Sequence, residues 1–235
     1  VSIAVEISDW PSAVIPYRQM LRAAGSNVRS GFTLATVQQS HPEIGGRAVL
    51  EAEFSNFGGD VDSTMISGLI SEVYAGRVFR MPVTRSAQTV SAIELGATES
   101  IDIDGLPWSN DEPWSNDQNW AFNPVAEITA DALEGSVSLT VDLTPYGRVL
   151  SFGKWIGIGA EIDGAPNMVR RVQYNGLIAT LSMSLPLRAD FEAGDLIRFK
   201  PTMLGTVQNP EEFAGMFEAG EIIKPGRVRL LEALL

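Results

Sequence analysis

Apolar residues recur at every second position in a series of separate runs along this chain. A chain so patterned folds mainly into β-sheet, because a strand sends alternate side chains to opposite faces. Val1, Ile3, Val5 and Ile7 open the series and Trp10-Pro11 ends it. Residues 32–39 and 47–54 form two further alternating runs, separated by His41-Pro42 and Gly45-Gly46. They predict an antiparallel pair joined by a polar loop. Val137, Leu139, Val141 and Leu143 share one face of another strand, and strands follow at 155–160, 167–174, 177–185 and 195–201, with Asn175-Gly176 as the hairpin signal. Strands so closely spaced predict a small barrel or sandwich. Residues 227–235 read as a last apolar strand, and a short Glu-rich turn is expected after Pro210.

One segment breaks the period. Over residues 62–75, Met65, Ile66, Leu69, Ile70 and Val73 make a helical stripe, with Asp60 or Asp62 as the cap and Gly76 as the left-handed stop. This helix must pack its stripe on a sheet. Residues 17–24, where Leu21 faces Tyr17, predict one or two further helical turns, and 84–100 reads as a connection. The fold class expected is therefore mainly β (α+β). Residues 1–94 with 205–235 form a sheet module carrying the helix, and a small β barrel is inserted at 95–204, preceded by a Trp-rich loop at 105–124.

The 235 residues carry 17 Lys+Arg against 29 Asp+Glu, a net charge of −12, with one His and no Cys. Without cysteine there is no disulfide, thiol nucleophile, zinc–thiolate site or iron–sulfur cluster. Excess carboxylate opposes tight phosphate binding, so DNA is not expected as a tight ligand. No apolar run approaches the roughly 20 residues that span a bilayer. The first residues alternate like a strand and lack the basic start of a signal peptide.

Catalytic signatures are missing: the chain has no G-x-S-x-G elbow, no H-E-x-x-H, no P-loop and no G-x-G-x-x-G. His41 precedes Pro42 in a Gly-rich loop, with no orienting partner in its sequence neighbourhood, and reads as a loop residue rather than a base or ligand. Asp102, Asp104, Asp111, Glu112 and Asp117 offer hard oxygen ligands, but Gly105 sits at the wrong spacing for an EF-hand loop. No metal and no cofactor are expected. The same carboxylates beside Trp108 or Trp114 could serve a glycosidase, with the aromatic ring as a sugar platform. Those tryptophans belong to a tandem duplication, Pro107-Trp108-Ser109-Asn110-Asp111 and Pro113-Trp114-Ser115-Asn116-Asp117, with Trp120 close behind. Tryptophan is enriched at interfaces and a long loop needs a reason, so the favoured reading is contact with a neighbour.

Three segments, read together, resemble the distal tail proteins of long-tailed (siphovirus-like) bacteriophages and gene-transfer particles. They are Gly45-Gly46-Arg47 with the helix at 62–75 and Gly76-Arg77; Gly153-Lys154-Trp155-Ile156-Gly157-Ile158; and Leu185-Pro186-Leu187-Arg188 with Gly194-Asp195 and Pro201. Two features depart from the family pattern: the Trp-Ser-Asn-Asp duplication, and Leu185 where a second proline is usual.

The resemblance implies a noncatalytic virion protein of the tail tip, made in the host cytoplasm. It implies a homo-oligomeric ring, hexameric in that family, that joins the tail tube protein to the baseplate hub and carries tail fibres or other peripheral proteins. DNA would only pass through the lumen, which an acidic protein suits because carboxylates repel phosphate. Open β edges and an aromatic loop also suit closed-ring assembly. The expected interface residues are Trp108, Trp114 and Trp120, docking the loop on a neighbour, with Arg47 and Arg77 pairing with carboxylates of an adjacent subunit. Two rivals stand beside this reading: a carbohydrate-binding module recognising host surface glycans, and a glycosidase using Asp102, Asp111 or Glu112.

Overall fold

A computed structural model of the protein describes residues 6–24, 27–29, 40–42, 46–54, 63–84, 86–90, 125–144, 150–159, 164–218, 221–222 and 226–234. Strands β1 (Ile7–Asp9), β2 (Arg18–Ala24), β3 (Asn27–Arg29), β4 (Ser40–Pro42) and β5 (Arg47–Phe54) precede helix α1 (Ser63–Tyr74), and β6 (Val78–Pro82) follows it. Next come β7 (Val125–Ile128), β8 (Ser138–Asp142), β9 (Trp155–Ile158), β10 (Ala165–Asn175), β11 (Ile178–Met183) and β12 (Leu196–Arg198). The chain then continues through β13 (Thr202–Val207), helix α2 (Pro210–Ala214), β14 (Phe217–Glu218), β15 (Glu221–Ile222) and β16 (Gly226–Glu232). The protein is mainly β, with two principal sheets.

The first sheet has strand order β1-β6-β13-β16-β5-β2. Only its β1–β6 pair is parallel; the other neighbours are antiparallel. One face presents Leu21, Leu50, Phe54, Phe79, Met203 and Leu230 to the core, where Ile66, Leu69 and Val73 of α1 join them. The period of those three helical residues decides the packing, and burying each is worth about 1.5–3 kcal/mol. Gly76, at φ +71°, ends the helix as expected, and its N–H donates to the Val73 carbonyl at 3.1 Å. Trp10 sits among Phe54, Phe79 and Phe213 of α2, with ring centroids 5.6 to 6.0 Å away, and its indole N–H donates to the Val14 carbonyl.

The second sheet closes into a barrel of order β10-β11-β8-β7-β12-β9. Alternate residues fill it, among them Ile128, Leu139, Val141, Ile156, Leu181 and Ile197. Two short ladders, β3–β4 and β14–β15, complete the described strands.

Several local expectations change. Residues 17–24 are not helical: Arg18–Ala24 is β2, paired along its length with β5. The helical reading came from the Tyr17/Leu21 spacing, whereas the alternation that matters buries Gln19 and Leu21. Strand β5 does not pair with residues 32–39, because β2 and β16 occupy its two edges; residues 32–39 lie outside the described residues. His41 is in β4, opposite Val28, rather than in a loop. The segment after Pro210 is a short helix with proline in its first turn, where the missing N–H costs nothing. The β10–β11 turn falls one residue later than expected, since Asn175 pairs with Ile178 and Gly176-Leu177 lies between. Gly176, at φ +67°, supplies the backbone conformation the tight turn needs. Strands β7 and β13 were not anticipated. The expected caps Asp60 and Asp62 lie outside the described residues.

Barrel and sheet meet through side chains. Strand β9 points Ile156 and Ile158 into the barrel but sends Trp155, fully buried, into the sheet's core with Leu185. Asn167, itself buried, bonds both backbone groups of Leu185, at 2.8 and 3.0 Å. Arg188 then forks onto Glu232 of β16, with Nε–Oε1 3.0 Å and Nη2–Oε2 2.8 Å, and also donates to the Gly46 carbonyl. Glu232 is 4% exposed and takes a third bond from the Ala48 N–H.

Candidate assembly surface

The sheet's other face carries the most organised polar cluster among the described residues. On β5, Ala48, Leu50, Ala52 and Phe54 point to the core, so strand alternation turns Arg47, Val49, Glu51 and Glu53 outward. Register then sets the neighbours: Arg18 of β2 and Arg227 of β16 both lie opposite Glu53, and Arg229 lies opposite Glu51. Cross-strand pairs of opposite charge stabilise such a face. Glu51 is paired with Arg22, with Arg227 at 3.3 Å and with Arg229 at 3.2 Å. Glu53 binds Arg227 at 2.6 Å, approaches Arg18 at 3.9 Å and accepts the Tyr17 hydroxyl at 3.0 Å.

Burial is divided unevenly. The Glu51 side chain is 3% exposed, while the four arginine side chains over these carboxylates remain 48 to 63% exposed. The guanidinium nitrogens meet the carboxylates directly, while the arginine side chains stay open to water on their other sides. Arg47 stands exposed at the end of the same face, opposite Ala24. Five guanidiniums against two carboxylates leave an excess of three positive charges on a chain whose net charge is −12. Half-buried Met20 and Leu231 lie on the same outward face.

The Tyr17 hydrogen bond, followed by Arg227, holds the Glu53 carboxyl below its ordinary pKa, and the same bond raises that of Tyr17. A carboxyl with a lowered folded pKa adds stability above its unfolded pKa and loses it as pH falls through the folded value. Partial burial of the carboxyl works in the opposite direction and offsets part of that contribution. In Tyr17→Phe the Glu53 carboxyl is expected to titrate at higher pH, read by carboxyl-carbon NMR. An unchanged titration removes Tyr17 from the cluster's electrostatics.

Of the residues expected at an interface, Arg47 belongs to this face and is assigned no ion pair among the described residues. The guanidinium of Arg77, the other arginine expected at a subunit contact, meets Glu6 of its own chain. Arg80, on the same strand region, pairs with Asp9 at 2.8 Å. Trp108, Trp114 and Trp120 lie outside the described residues, as do Asp102, Asp104, Asp111, Glu112 and Asp117. Sequence reasoning missed Glu51, Glu53, Arg18, Arg22, Arg227 and Arg229. The available signal was the charged half of the alternation in Arg-Ala-Val-Leu-Glu-Ala-Glu-Phe and Arg-Val-Arg-Leu-Leu-Glu. Among the described residues no group of three or more His, Asp or Glu is placed to hold a metal ion, and no helix is long and apolar enough to cross a membrane.

In comparisons with known proteins, no family model matches the chain and no curated protein matches it.

Proposed function

We propose that the protein is a noncatalytic component of a phage tail tip, assembling as a ring that joins the tail tube to the baseplate hub and anchors peripheral fibres around the DNA conduit. The observation that carries this reading is a convergence of the segments resembling distal tail proteins. Trp155, Gly157, Leu185, Arg188 and Pro201 all gather where the barrel meets the sheet. Trp155 and Leu185 enter the sheet core, and Arg188 clasps Glu232. A Cβ on Gly157 would stand 3.1 Å from both the Gly164 carbonyl oxygen and the Pro201 Cα, a tight contact that glycine avoids without any shift of either backbone. The Pro201 carbonyl accepts the Val83 N–H of the sheet side at 3.0 Å. These residues fix the barrel against the sheet, as suits a subunit whose two parts both take part in an assembly.

Light scattering of the purified protein, with negative-stain imaging of the same sample, tests the reading. Closed rings with a hole about as wide as a DNA duplex are expected. Monomers both alone and beside assembled tail tubes would overturn it.

A carbohydrate-binding module is the second reading, favoured by one feature of the barrel. Phe152 is 80% exposed, two residues from Leu150, whose carbonyl accepts the Tyr174 hydroxyl at 3.0 Å. Exposed aromatic rings so placed suit a sugar face. Glycan-array retention that is lost in Phe152→Ala would move the assignment there.

A further inference from the structure

We infer that the arginine face of the sheet receives the acidic end of the barrel of a second copy of this chain, so that subunits associate head to tail. This rests on the ring reading above and names its contact.

The acidic end is formed by the loops at 129–137 and 189–195. Ala132 and Phe191 tie them together with reciprocal backbone bonds of 2.9 and 2.8 Å. Asp190 accepts the Glu134 N–H at 2.7 Å, Asp131 accepts the Ala193 N–H at 3.0 Å, and Asp195 accepts the Glu192 N–H at 2.8 Å. Those bonds fix three carboxylates in place, while Glu134 and Glu192 stand exposed between them. Neither loop contains a Lys or Arg. Leu133, 72% exposed, stands on the same loop as Asp131 and Glu134.

The two surfaces complement each other in charge, and each also carries apolar side chains, Met20 and Leu231 on one and Leu133 on the other. Carboxylates crowded on two joined loops repel one another, and a guanidinium-rich partner relieves that repulsion. No ion pair between the described residues joins the two surfaces within one chain. Because they are different patches of the same chain, their contact is heterologous and repeats from copy to copy, the geometry that closes rings. A twofold dimer through either patch would set like charges together. The arginine face also matches phosphate, but duplex DNA would approach it against a net charge of −12. A second copy brings carboxylates already held in place.

The test is sedimentation equilibrium at low and high salt, using variants that spare the buried pairs. Arg18→Glu with Arg47→Glu reverses the most weakly tied cations, and Glu134→Lys with Glu192→Lys reverses the two acids whose carboxylates make no described bond. Circular dichroism and thermal unfolding check that each folds. Wild type is expected to associate at low salt and to weaken as salt screens the contact. Either double variant should associate on the order of a hundredfold more weakly. Their equimolar mixture should recover, through both the intact pair and the doubly reversed pair. Wild-type association that neither variant alters would overturn the contact and leave the ring standing. A wild type that stays monomeric at low salt also overturns it, and imaging beside tail tubes then decides the ring separately. Binding of a labelled duplex that only Arg18→Glu with Arg47→Glu abolishes would assign the face to nucleic acid instead.

Discussion

Replacing Trp155 by alanine is expected to lower stability by about 3–5 kcal/mol, the range for deleting a large buried aromatic side chain. The effect should spread beyond the barrel strand that carries it. Trp155 is fully buried, yet its side chain lies in the core shared by α1, β5 and β16 rather than inside the barrel. Its backbone N–H also donates to the Gln88 carbonyl at 2.8 Å, tying β9 to the segment that follows β6. Hydrogen exchange should therefore accelerate in α1 as well as in β9 and β10. Ile156 provides the contrast, because it faces the barrel interior. Ile156→Ala should loosen the barrel with much less effect on α1. Urea unfolding measures the size, and exchange mapping measures the reach. If the two variants loosen the same amides, the proposed division between the two cores is wrong.

Glu232→Ala is expected to cost about 3–5 kcal/mol, because removing one partner of a buried pair strands the other groups. Two groups lose their acceptor: the Arg188 guanidinium, 22% exposed at the barrel joint, and the fully buried Ala48 N–H. Access of water to Arg188 places the result toward the lower end of that range. Arg188→Met removes the cation and leaves a carboxylate held only by the Ala48 N–H, so it should also destabilise. The double variant should cost less than the two single losses added together, because the second change removes the group that the first left stranded. Equilibrium unfolding of all four proteins closes the cycle. A Glu232→Ala protein within about 0.5 kcal/mol of wild type would show that the clasp contributes nothing to the joint.

Residues with a local signature were legible in the sequence. The α1 stripe of Ile66, Leu69 and Val73 and the stop at Gly76 are set by neighbours within a few positions, and the structure has them where that spacing predicts. Strands β8 and β11 likewise follow from the alternation of Leu139 with Val141 and of Ala179 with Leu181. Strand β2 was misread because a polar side chain occupies one of its buried positions. Gln19 is buried because its amide donates to the Pro82 carbonyl and accepts the Thr84 N–H, both distant in sequence. Burial of glutamine cannot be inferred from hydropathy when its partners are unknown. Strand β7 is short and half its residues face outward, so its pattern was too weak to detect.

The candidate surface was less legible than the fold. Arg47 was singled out from its place at the start of an alternating run, but the carboxylates and cations that give its face a charge pattern were not. Arg227 reaches Glu51 across 176 positions and Arg22 reaches it across 29. For α1, β5, β8 and β11 the sequence alone determined the type of element and which face is apolar. Those properties depend on side-chain periods of two and 3.6 residues, which a strand or helix expresses without reference to the rest of the molecule. Tertiary structure decided which strands became neighbours, that Trp155 leaves its own barrel for the sheet, and that four arginines gather around two carboxylates. Each of these depends on the register between strands far apart in sequence, and a one-residue shift in register would have turned the same side chains to the opposite face.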